Sequence, residues 1–230
     1  RLLLINESLR TQPPKAKKVA KELSIHGDTR IDHYYWLNQR EDKEVIQYLN
    51  EENAYTQAVL EPTKQLQEDL FNEIVGRIKK DDESVPYKLN GFWYYTRFIE
   101  SGEHPIYCRK KGGKRFEDAG DEEILLNVNE LAEGHAYYKA GGLSVSPNNK
   151  LLAYGEDTVS RRIYTIRVKN LETGENLNIE LKGTTGSCTW GDDNQTLFYT
   201  LRDETTLRSS KIMSYNILTG EEKIRYIEQD

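Results

Sequence analysis

The chain has 230 residues, 32 Lys plus Arg against 38 Asp plus Glu for a net charge of −6, and a hydrophobic fraction of 37% that includes 15 Tyr and 3 Trp. Charge signs are interspersed without a basic face, which argues against nucleic acid as a partner; two cysteines, Cys108 and Cys188, exclude a disulfide framework. The longest aliphatic run, Leu2 to Ile5, is far below the ~20 residues of a bilayer span, so a soluble chain is expected.

Residues 1–12 show no clear period and are expected to form a loosely held arm. Pro13 to Lys18 is extended through its prolines, with its basic charges solvated. His26 to Leu37 packs a turn, acids and three adjacent aromatics into one short stretch. From Asp42 to Leu60, Val45, Ile46, Leu49, Ala54 and Val59 fall near a 3.6 period and predict an amphipathic helix. After Pro62, a cleaner stripe of Leu66, Leu70, Phe71, Ile74, Val75 and Ile78 predicts a second helix ending near Arg77, before the acidic turn at Asp81-Asp82-Glu83. Two such stripes exceed what a helix pair hides alone, and a docking partner is expected.

Beyond Pro86 the texture is that of strands. Phe92 to Phe98, entered through Asn90-Gly91, and Pro105 to Lys110 read as a hairpin, and Ile124 to Val128 as a further strand. A repeat follows. Leu152 and Tyr154 recur as Leu197 and Tyr199, 45 residues on, and Thr173-Gly174-Glu175 recurs as Thr219-Gly220-Glu221, 46 residues on. A period of ~40–50 residues made of short strands and polar turns marks β-propeller blades. The expected layout is an extended and helical segment over 13–80 and a partial propeller over 81–230, with blades at about 85–135, 136–185 and 186–230. A ring needs at least about four blades to close, so Asp230 is expected to be a cut inside a larger ring.

No reaction can be read from the residues themselves. Gly142-Leu143-Ser144-Val145-Ser146 fails the Gly-x-Ser-x-Gly nucleophile elbow at its fifth position, and strand residues follow it rather than a helix. Gly186-Ser187-Cys188 fails likewise, and no His motif accompanies Cys188. His26, Asp28, Asp32 and His33 lack metal-ligand spacing and read as structural anchors beside a turn. His104 and His135 read as loop residues, and Arg161-Arg162, after Glu156-Asp157, as ordinary cross-strand ion pairs, with a substrate carboxylate the alternative. No phosphate loop, metal-ligand quartet or complete triad appears. No catalytic, cofactor-binding or metal-binding role is assigned to any position, and no cofactor is expected.

The motifs do carry a resemblance. Pro14-Lys15-Ala16, His26-Gly27-Asp28-x-Arg30-x-Asp32-x-Tyr34-Tyr35-Trp36-Leu37, Glu52-Asn53-x-Tyr55, Arg77-Ile78 and the stretch from Ala153 to Gly174 with Glu156-Asp157 and Ser160-Arg161-Arg162 resemble the N-terminal third of the oligopeptidase B (protease II) branch of the prolyl oligopeptidase family of serine peptidases. The resemblance implies a mainly β chain, an incomplete seven-bladed β-propeller of about three blades preceded by an N-terminal α-helical segment. Its implied partners are a C-terminal α/β-hydrolase domain, which would hold the Ser, Asp and His of the triad, and short peptide substrates cleaved after Arg or Lys. A prolyl oligopeptidase cleaving after Pro and a non-catalytic propeller-like binding module are the alternatives. Cytoplasm and periplasm stay open as the compartment. The chain alone is expected to be inactive and, with sheet faces and helix stripes uncovered, to self-associate.

Overall fold

The computed structural model describes residues 12–229; apart from Gln12, the expected arm lies outside them. The chain divides into two compact units, Arg1–Ile78 and Lys79–Asp230.

In the N-terminal unit, β1 (Lys21–Ile25) and β2 (Asp28–Asp32) form an antiparallel hairpin. Its turn is His26 and Gly27, at φ 53° and 80°, the pair of left-handed residues that a tight hairpin turn requires. The Asp32 carboxylate then accepts the Tyr34 N–H at 2.8 Å and redirects the chain. The Trp36 indole N–H donates to the Lys17 carbonyl at 3.0 Å, and its ring meets Tyr48 edge-on at 6.2 Å. The Lys17 ammonium lies 5.0 Å over the Trp36 ring and pairs with Glu44. The proline-led segment is thus tied down at Lys17, while Lys15, Lys17 and Lys18 all stay exposed.

Helix α1 (Lys43–Leu60) starts where Asp42 accepts the Glu44 N–H at 2.7 Å and the Val45 N–H at 3.4 Å, satisfying two of the donors every helix start leaves open. A turn containing Pro62 leads into α2 (Lys64–Gly76). Val45 is the buried residue of α1 and α2 has none. The stripe Leu66, Leu70, Phe71, Ile74 and Ile78 lies exposed.

The C-terminal unit is built of blades. β3 (Tyr87–Leu89), β4 (Phe92–Arg97), β5 (Ile106–Lys111) and β6 (Glu122–Asn127) form a four-stranded antiparallel meander, closed by the short α3 (Val128–Leu131). β7 (Lys139–Val145), β8 (Leu151–Asp157), β9 (Tyr164–Asn170), β10 (Leu181–Trp190), β11 (Thr196–Arg202), β12 (Ser209–Asn216) and β13 (Glu222–Ile227) follow in one continuous sheet, in chain order. The sheet is two blades sharing β10. Leu181 pairs with Ile166 of β9, Cys188 and Trp190 pair with Tyr199 and Leu197 of β11, and Thr184 pairs with both neighbours at the kink. The result is an open, incomplete propeller of about three blades.

Strand alternation sends successive side chains to opposite faces, so the second blade packs on both sides. Leu152 and Tyr154 face the first blade, in a cluster with Tyr94, Leu126 and Tyr138. Ala153 faces the third, with Ile166, Trp190, Leu197 and Tyr199. The repeated Leu and Tyr are therefore core residues: Leu152 and Leu197 are both 0% exposed, each contributing ~1.5–3 kcal/mol through burial. The turns are clipped as well. Asn90, Asn149 and Asn194 hold left-handed turn positions at φ 46°, 64° and 58°. The Asn194 side chain accepts the Asn148 N–H at 2.7 Å and the Asn149 amide donates to the Asn90 carbonyl at 3.4 Å, linking the turns of successive blades.

Candidate functional site

Polar chemistry concentrates at one end of the second blade, where β8 hands over to β9. Asp157, the last residue of β8, is 2% exposed. Its carboxylate accepts the N–H groups of Val159 at 2.9 Å, Ser160 at 3.0 Å and Arg162 at 2.8 Å. Two of the residues it organises, Ser160 and Arg162, are left-handed at φ 63° and 58°. The loop is thus built around a buried acid, and it carries Arg161 and Arg162 into solvent. These arginines are not the cross-strand ion pairs expected from sequence: neither lies on a strand, and neither pairs with a described acid. The reason is local, since the left-handed turns at 160 and 162 take the chain out of the sheet before β9 begins.

Beside the loop, a cleft of about 510 Å³ is lined by Tyr138, Glu156, Arg167, Asn176, Glu180 and Lys182, among others. Glu156 accepts the Tyr138 hydroxyl at 2.8 Å and pairs with Arg167; Arg167 also donates to Glu180 at 2.9 Å. Burial, helped by the hydrogen bond to Glu156, pushes the Tyr138 hydroxyl pKa far up. Burial opposes the Arg167 charge, but hydrogen bonds to Glu156 and Glu180 outweigh it and raise its pKa. Arg167 in turn holds Glu180 below the ordinary carboxylate range. Every member has a committed partner, so the network fixes geometry and offers no free base.

The residues weighed as nucleophiles sit elsewhere. Ser144 is on β7, and its carbonyl accepts the Trp190 indole N–H at 2.9 Å. It borders a cavity of about 340 Å³ with Tyr87, Tyr94, Tyr107 and Leu125. No His, Asp or Glu is among the described residues of that lining, so the hydroxyl has no base to activate it. Ser146 is 0% exposed, and its Oγ accepts the Leu151 N–H at 3.0 Å, closing the β7–β8 turn. Burial pushes the Cys188 thiol up to about 12, away from thiolate chemistry.

His26, Asp28, Asp32 and His33 belong to the β1–β2 hairpin and its exit. His33 offers its carbonyl to the Val19 N–H at 2.9 Å. His104 and His135 both border an open groove that includes Asn129 and Tyr138. Asn129 brackets His104 by accepting its N–H and donating to its carbonyl, each at 2.9 Å. Among the described residues, no three His, Cys, Asp or Glu are grouped to hold a metal ion, and no helix is long and apolar enough to cross a membrane. Sequence reading missed the organising role of Asp157 and the Tyr138–Glu156–Arg167–Glu180 network. An acid closing a strand ahead of Thr158, Val159 and Ser160 is the only local signal for the former.

The three-bladed stack has counterparts. The family model for the prolyl oligopeptidase N-terminal β-propeller domain matches residues 13–227. The chain belongs to the prolyl oligopeptidase family. It is 43% identical over 96% of its length to dipeptidyl aminopeptidase BI of Pseudoxanthomonas mexicana, and 37% identical over 83% to Protease 2 of Moraxella lacunata. The solved oligopeptidase B of Leishmania major superposes with a TM-score of 0.84 at 32% identity over 95% of the chain. The chain spans about a third of the length of these prolyl oligopeptidase relatives: 32% and 28% of the two sequences and 33% of the solved chain.

Proposed function

We propose that this chain is the helical and propeller part of a serine oligopeptidase that cleaves short peptides after Arg or Lys, its triad residing in an α/β-hydrolase domain of the same protein. The observation that carries the reading is the close match to oligopeptidase B across both units, together with the bare apolar stripe of α2. In the α/β-hydrolase domain, a Ser hydroxyl attacks the peptide carbonyl while a His oriented by an Asp takes its proton. The His returns that proton to the leaving amine, and water then releases the acyl group. The blades contribute selection: a net charge of −6 favours approach of basic peptides, and a stack of blades admits small substrates more readily than folded ones.

A second reading rests on the identity to a dipeptidyl aminopeptidase, in which a free amino terminus is required. The full-length protein carrying this chain separates the two. Cleavage of an N-terminally blocked Arg-Arg fluorogenic substrate, abolished by a serine-directed inhibitor, supports the oligopeptidase. Cleavage confined to the unblocked dipeptide supports the aminopeptidase, and cleavage of neither removes both.

A further inference from the structure

The C-terminal unit contains nine arginines, and among the described residues seven of their guanidinium groups reach a carboxylate, carbonyl or hydroxyl. The two that do not are adjacent, Arg161 and Arg162, and both are exposed. Their loop carries a cost. A connection between neighbouring strands can be made in a few residues with Gly or Asn at the left-handed positions; here Ser160 and Arg162 occupy those conformations, and a buried carboxylate with no cationic partner among the described residues holds them there. Strain and a buried charge maintained together point to a loop fixed for what it presents.

What it presents is a pair of planar guanidinium forks, which match a carboxylate in charge and shape. The rest of the chain carries net negative charge, a field that attracts a basic peptide and repels its anionic end. Resting on the peptidase reading, we propose that the Arg161–Arg162 loop binds the free α-carboxylate of a short peptide substrate. Because Asp157 fixes the backbone beforehand, little loop ordering is lost on binding.

The test compares, in the full-length protein, hydrolysis of a short Arg-containing peptide with a C-terminal carboxylate and its C-terminal carboxamide twin. The acid should have a KM about tenfold lower, the effect of charge-assisted hydrogen bonds at an exposed site. Arg161→Ala with Arg162→Ala should abolish that difference, leaving kcat and the amide KM unchanged. The double Lys variant keeps the charge without the fork and should retain only part of it, which guards against a folding defect in the Ala variant. Equal KM values for acid and amide in the wild type, or an equal change for both peptides in the variants, overturn the proposal while the peptidase reading stands. Failure of the wild type to cleave either peptide removes that reading and the proposal with it.

Discussion

The carbonyl oxygen of Gly186 lies directly against Gly155, so that a Cβ built on Gly155 would sit 2.4 Å from it. Gly142 is in the same position from the other side, its Cβ falling 2.1 Å from that oxygen. Strand β10 therefore crosses β7 and β8 at a point where three backbones touch, and both β7 and β10 slip register there. This contact lets one strand serve two blades.

Relief by movement of Gly186 is blocked, because the Thr184 hydroxyl accepts its N–H at 3.0 Å and itself donates to the Tyr164 carbonyl at 3.0 Å. Gly155→Ala should accordingly destabilise the second and third blades by about 1–3 kcal/mol, the usual cost of overpacking, or more. Gly141→Ala, where an added Cβ meets nothing within 4 Å, is the control and should be close to neutral. Chemical denaturation of the two variants measures the difference; equal midpoints would refute the contact.

The first and second blades are joined by a different device. Arg109, 4% exposed, makes paired hydrogen bonds to Glu123 at 2.7 and 2.8 Å and donates to the Asn149 carbonyl at 3.1 Å. Its guanidinium also lies 4.1 Å from the centre of the Phe92 ring. Glu123→Gln leaves a buried cation without its anion and should cost about 2–3 kcal/mol, at the low end for a broken buried pair because the Glu123 side chain is 38% exposed. Arg109→Met, which removes the charge itself, should cost less. A ranking in the reverse order would show that Arg109 acts through packing rather than charge.

These contacts mark where sequence is informative and where it is not. Helix α1 was legible because Val45, Ile46 and Leu49 share a face, while the cap at Asp42 emerged only in the structure; the blades were legible because Leu152 and Tyr154 recur as Leu197 and Tyr199. The β1–β2 hairpin was not, since KELSI and DTRID have little alternation to distinguish them from a loop, and their side chains are mostly exposed. Arg161 and Arg162 were misplaced onto strands because the left-handed backbone at Ser160 and Arg162 has no Gly or Asn to announce it. The Tyr138–Glu156–Arg167–Glu180 network joins residues 18, 11 and 13 positions apart, and no period of helix or strand links such separations.

The two thiols should be inert in the folded protein. Burial pushes Cys108 up to about 11 and Cys188 up to about 12, against an ordinary thiol value near ~8.5. Thiolate is the reactive form, so alkylation at pH 8 should be at least about a hundredfold slower in the native protein than in denaturant. Rapid native labelling of Cys108, which is 1% exposed, would mean that the outer face of the first blade opens readily.

That face also carries a pH signature. Glu122 accepts from Arg97 at 2.8 and 3.1 Å and from the Tyr95 hydroxyl. The Arg97 hydrogen bond, above all, holds its carboxyl down to about 2, against the opposing effect of burial. A carboxyl depressed on folding stabilises the native state above its unfolded value, near ~4.3, and loses that contribution as pH falls through the folded one. The stability difference between wild type and Glu122→Gln should therefore be constant above pH ~5 and shrink steadily between pH ~4.3 and about 2. Other paired carboxylates, such as Asp118 with Arg115, titrate in both proteins and cancel in the difference. A gap that stays unchanged down to pH ~2 would mean that the ionised Glu122 contributes nothing through Arg97.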